Sequence, residues 1–141
     1  MNVETNRSVH WSFWMVGAAA LIWNVMGAIN FLVQMNVDMV ASFPESHRMI
    51  IDGRPLWATT GFAIAVFGGV LGCLLFLLRK SAAYYLFIAS FLGTIVVMIH
   101  TLSLAINFSP FEILIMILMP LVVAAFLIWY SKQAAIKGWI R

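Results

Sequence analysis

The chain is 141 residues long, 64% hydrophobic and only 9% charged, with a mean hydropathy of +1.01. Soluble domains are about 45–50% apolar with roughly a quarter of their residues charged, so the composition excludes one and points to a membrane-embedded chain. The net charge of +3 does not imply a nucleic-acid partner, because the basic residues are divided unevenly between the two sides of a four-span arrangement and read as a topology signal.

Uncharged stretches run over 8–37, 55–78, 81–111 and 113–131, each near or above the roughly 20 residues that cross a hydrocarbon core. The expected fold is an all-α membrane protein, one integral domain over 1–141. It is an antiparallel bundle of four transmembrane helices over 11–34, 56–78, 83–106 and 110–131. Arg7, Arg79, Lys80, Lys132, Lys137 and Arg141 fall on one side, and only Arg48 and Arg54 on the other. The positive-inside rule then makes both termini cytoplasmic. Ala18-Ala19-Ala20 is small enough for a signal cleavage site, but apolar sequence continues to Val33, so the first helix is read as uncleaved.

In helix 1, Trp11 and Trp14 suit the inner interface, and Gly17, Ala20, Asn24 and Gly27 form a small-residue stripe reaching towards Gln34. Small residues at this spacing let helix backbones approach in lipid. The outer loop 35–54 is expected to carry one short helix from about 43 to 51, opened by a capping box with Ser42 as N-cap and Glu45 at N3, and stopped at Asp52-Gly53. A plain interfacial linker is favoured there over a lid. Helix 2 carries Gly61, Ala65, Gly68 and Gly72 at packing spacing, with Gly69 beside them. The lone Cys73 reads as a small apolar packing residue. Arg79-Lys80-Ser81 is a tight turn, so helices 2 and 3 should be antiparallel neighbours. Helix 3 offers Ser90, Gly93, Val97 and His100 on one face. Helix 4 opens on a second capping box, Ser109 to Glu112 with Pro110 at N1, and Pro120 should kink it and free a carbonyl near residue 116. Trp139, between Lys137 and Arg141, suits a tail lying at the cytoplasmic interface.

Polar groups inside a membrane are costly unless they face protein, water or a ligand. Asn24 lies at mid-depth, and Asn30, His100, Asn107 and Glu112 lie in the outer half. One reading gathers them into an outward-facing polar pocket, with the amides binding a neutral polyol, His100 as a proton-sensitive element and Glu112 as its counter-ion. The other makes the asparagines interhelical glue, His100 a neutral group bonded to a neighbouring helix, and Glu112 a capping residue. Asn24, on the small-residue stripe, suits glue. Asn30, about 120° around the helix at 100° per residue, suits a cavity. No nucleophile-and-base set, carboxylate pair or metal-ligand spacing is present, so no enzyme, cofactor or metal site is expected.

Asn24 with Trp23 and Gly27, Pro55-Leu56-Trp57-Ala58, Phe67-Gly68-Gly69, Gly72-Cys73 and Gly138-Trp139 together resemble a group of small four-helix bacterial inner-membrane proteins commonly labelled "sugar transporter". The resemblance covers almost the whole chain. It implies a multi-pass protein of the bacterial inner membrane with a transport-like role, and carries no functional residues across. The expected function is a homo-oligomeric permease for a small polar, sugar-like solute. The alternatives are an accessory or assembly subunit of a larger membrane complex, and a lipid- or quinone-binding protein. The lipid bilayer is the expected partner in every case.

Overall fold

The structure, a computed structural model, describes residues 8–141; Arg7, counted above with the inner charges, lies outside them. Regular structure among the described residues is helical throughout. Four helices are long and apolar enough to cross a membrane: α1 (Trp11–Gln34), α4 (Leu56–Leu77), α5 (Ala82–Ser103) and a composite span over Pro110–Ile136. The composite consists of α6 (Pro110–Ile113), a π-helical stretch (Leu114–Leu118) and α7 (Met119–Ile136). Two short helices, α2 (Val37–Val40) and α3 (Glu45–Ile51), occupy the long connection.

Local chemistry explains most of the boundaries. The Ser109–Glu112 capping box is formed in both directions, with Pro110 at the first turn. In the 35–54 connection the expected box at Ser42 is not formed. Pro44 is the N-cap of α3 without a side-chain bond, and the Ser42 hydroxyl instead donates to the Met39 carbonyl at 2.7 Å, closing the turn after α2. Asn36 supplies the cap that sequence inspection overlooked, accepting from the Asp38 and Met39 N–H groups. Helix α5 ends at Ser103 rather than 106, because Ala105 adopts a left-handed conformation (φ 50°) that a helix does not continue through. Helix α7 runs on to Ile136, past Lys132 where the uncharged stretch stops, since a helix need not end where the hydrocarbon does. Ahead of Pro120 the chain widens into the π stretch, and the Met119 N–H reaches back to the Leu114 carbonyl. Such a stretch re-pairs backbone groups near a proline that has removed a donor.

The spans pack in the order α1, α4, α5, α7, with the closest interface between α4 and α5. Glycine is required there. A Cβ on Gly93 would lie 2.6 Å from the Gly61 carbonyl oxygen and 2.8 Å from the Ala65 nitrogen. One on Gly72 would meet the Phe87 ring at 2.8 Å. The expected stripe is thus an α4–α5 contact, while Gly17 and Gly27 of α1 face Leu77 and Val66 of α4. Gly68 is looser, with its nearest neighbours at 3.8 Å.

The two edge helices, α1 and α7, meet only sparingly. Near Ser8 and Arg141 (the terminal end) the Ser12 and Tyr130 hydroxyls are 3.1 Å apart. An aromatic cluster fills the space below them: Phe13 stacks on Phe76 at 4.3 Å, which in turn meets Phe87 and Tyr130. The tail folds onto this end of the bundle. Gly138 turns it (φ 74°), Ile140 is buried, and Arg141 exchanges backbone bonds with the α4–α5 turn, to Arg79 at 2.9 Å and from Ser81 at 2.7 Å. Arg79 holds a left-handed conformation (φ 62°) and fixes the tail by donating from Nε to the Trp139 carbonyl at 2.8 Å.

Candidate functional site

At the opposite end, which carries the 35–54 connection (the loop end), α1 and α7 stand apart around a partly open cavity of about 480 Å³. Its back wall comes from α4 and α5 through Phe62, Ala65, Val66, Ser90, Thr94, Val97 and Met98. Trp23, Met26 and Gly27 of α1 form one flank, and Met116, Pro120, Val123 and Leu127 the other. His47, Ile50 and Arg54 of the connection border its loop end. The connection is therefore a roof over the bundle, not the plain linker the sequence favoured. Two bonds pin its helix α3: Ser46 Oγ donates to Glu112 at 2.6 Å, and His100 Nε2 donates to the Ile50 carbonyl at 3.3 Å.

The polar residues singled out from the sequence are dispersed. Asn24 is buried and its side-chain nitrogen donates to the Ala20 carbonyl at 2.8 Å and reaches Cys73 Sγ at 3.6 Å. Its carbonyl oxygen lies against Gly69 of α4, in the space a Cβ there would need, and the residue also borders the cavity. Asn30 is exposed at the cavity's edge. His100 is 5% exposed and packs edge-on against Trp57; it lies behind α3 and does not line the cavity. Glu112 serves Ser109 and Ser46, so its hydrogen bonds go to those groups and not to His100. Asn107 is exposed after α5, away from the cavity lining. Asn24 and Asn30 therefore share a cavity, and His100, Asn107 and Glu112 are not part of it.

Arg54, taken in sequence as a topology charge, is the polar centre of the cavity's loop end. Its Nη1 donates to Gln34 Oε1 at 2.8 Å and its Nε to Thr59 Oγ1 at 3.3 Å. The guanidinium sits 5.3 Å over the Phe62 ring, a cation–π arrangement. Partial burial pulls its pKa below the ordinary arginine value by desolvation, yet arginine remains charged. The available signal was position: a basic residue one step before Pro55 and the start of a span, on the side poorer in positive charge. Deeper in, the Ser90 hydroxyl donates to the Ala65 carbonyl and the Thr94 hydroxyl to the Ser90 carbonyl at 2.9 Å. Both hydroxyls are thus engaged with backbone. No group of three or more metal-ligating side chains forms among the described residues.

The cavity has a mainly apolar lining, with Asn30, Gln34, His47 and Arg54 at its loop end and, deeper in, Asn24, Ser90 and Thr94, the last two bonded to backbone. Comparison with family models, curated proteins and solved structures finds no match for this chain, so any functional reading rests on the geometry.

Proposed function

We propose that this chain is a multi-pass membrane protein that holds a single-chain amphiphile, lipid- or quinone-like, in the cavity between α1 and α7. The observation that carries the reading is the polarity gradient along that cavity. Gln34, Arg54, Asn30 and His47 gather at the loop end, and the rest is lined by apolar residues such as Met26, Val66, Val97, Met116, Val123 and Leu127 together with Asn24, Ser90, Thr94 and Thr101, whose donors are spent on backbone carbonyls. The volume of about 480 Å³ falls within the range of about 300–1,000 Å³ usual for small-molecule sites. From Gln34 down to Asn24 the cavity runs about 15 Å at 1.5 Å per residue, roughly half of a ~30 Å hydrocarbon core. A polyol permease is less well supported, because the hydroxyls that would line its path are bonded to backbone and aromatic side chains fill the terminal end. The charge asymmetry supports a cytoplasmic terminal end, and the resemblance described above supports a bacterial inner membrane.

Trp23 lines the cavity and provides the test. In phosphatidylcholine nanodiscs, dodecanol brominated near its chain end should quench tryptophan emission with a component that saturates at one molecule per chain. That component should vanish in Trp23→Phe and in Ala124→Phe, which puts a ring into the cavity from a buried position. Quenching that only grows in proportion to probe in the bilayer would sink the proposal. Polyol uptake by proteoliposomes of the wild-type chain would favour the permease instead.

A further inference from the structure

The cavity's charge is one-sided. Arg54 lines it, and no aspartate or glutamate does among the described residues. Arg54 makes no ion pair within them; its hydrogen bonds go to Gln34 and Thr59, both neutral. A guanidinium carries five N–H donors in a planar fork. Two are engaged, so three remain for a ligand. The Gln34 and Thr59 bonds fix the fork's orientation, and the Phe62 ring beneath it excludes water from one face. A partly buried cation held this way is favoured by an anion that restores the stabilisation lost on leaving water. The position suits a head group, because Arg54 lies two residues before α4, which begins at Leu56, at the level where span ends meet the polar layer of a bilayer.

The geometry points to Arg54, oriented by Gln34 and Thr59, as a head-group subsite that selects amphiphiles with an anionic oxygen head, phosphate or carboxylate, over neutral ones. This rests on the amphiphile-binding reading above and specifies its ligand class. Arginine binds either head through parallel charge-assisted bonds, with the chain running down towards Asn24 and Leu127. His47, on the roof, borders the same end.

The test compares brominated dodecyl phosphate, dodecanoate (at alkaline pH, where it is ionised) and dodecanol in the Trp23 assay. The wild-type chain should bind dodecyl phosphate about tenfold or more tightly than dodecanol, as one added charge-assisted bond predicts. Arg54→Gln should abolish that preference, so that dodecyl phosphate and dodecanol bind this variant with equal affinity, while its helical circular dichroism and thermal unfolding midpoint report that the bundle is folded; Arg54→Lys should keep part of the preference. Equal affinity for phosphate and alcohol in the wild-type chain, or a preference unchanged in Arg54→Gln, would overturn the inference and leave the amphiphile reading standing. Saturable binding of none of the three probes would overturn both. Displacement of dodecyl phosphate by phosphatidylglycerol in the disc would assign the subsite to a bilayer lipid's phosphate. Retention against phosphatidylglycerol would assign it to a free single-chain acid.

Discussion

At Gly69 the missing side chain is used by Asn24 of the neighbouring helix, whose carboxamide oxygen takes the space a Cβ would fill. Asn24 is held there by its bond to the Ala20 carbonyl at 2.8 Å, and Ser90 Oγ closes the same space from α5, 3.3 Å from a Cβ at 69. Gly69→Ala should therefore destabilise by about 1–3 kcal/mol, as overpacked cores do. In an Asn24→Ala background the same change should be close to neutral, since alanine is otherwise the better helix former. A double-mutant cycle of thermal unfolding in detergent reads the coupling; additive losses would show that the two residues do not meet. The sequence placed Asn24 on a protein-facing stripe but could not identify Gly69 as its partner, because that pairing depends on the register between α1 and α4. His100 shows the converse. Its burial was expected, but its partner, the Ile50 carbonyl, is 50 residues away on a short helix that the sequence located without showing that it folds back over the bundle.

Between elements, α4 and α5 approach each other through backbone as well as side chains, so the response to added methyl groups should be sharply position-dependent. At Gly93 the obstacles are the Gly61 oxygen and the Ala65 nitrogen and Cα, none of which can rotate away. At Gly68 the nearest atoms are 3.8 Å off, an ordinary contact. Gly93→Ala should lower the midpoint of thermal unfolding, at a cost of about 1–3 kcal/mol. Gly68→Ala should leave it unchanged or raise it slightly, by up to about 1 kcal/mol. Equal effects at the two sites would mean that the α4–α5 register differs from the one described. From the sequence, Gly61, Ala65, Gly68 and Gly72 form one stripe with nothing to rank its members; only the crossing with α5 separates the tight positions from the loose one. Pro120 marked a disturbance in the last span, whereas its relief as a five-residue π stretch depends on how the neighbouring turns re-pair.

For the whole molecule, the antiparallel arrangement puts the α4–α5 turn and residue 141 at one end and the 35–54 connection at the other. The orientation proposed from the charge asymmetry has the terminal end cytoplasmic, and two exposed serines test it. In a Cys73→Ala background, Ser42→Cys should react with a membrane-impermeant maleimide in intact spheroplasts, and Ser81→Cys only after permeabilisation. The reverse pattern would invert the topology. Many large apolar side chains outside the cavity, among them Ile22, Ile29, Leu32, Leu71, Leu92 and Val122, are exposed. This is the surface a bilayer covers, and it is why an ordinary buried core is small here.

The sequence alone determined how many helices are long enough to span a bilayer and nearly where they lie, because span length and hydropathy are local properties that the solvent enforces on each segment. It also determined the second capping box, whose partners lie three residues apart. Tertiary structure decided what surrounds the cavity. Arg54 meets Gln34, and His47 borders the same end of the cavity, because a 20-residue connection folds back as a roof, and His100 and Glu112 are withdrawn to hold that roof in place. Depth along a helix can be counted from sequence, but the direction a side chain faces is set by helix crossings, which depend on close backbone contacts such as Gly93 against Gly61 that no single segment encodes.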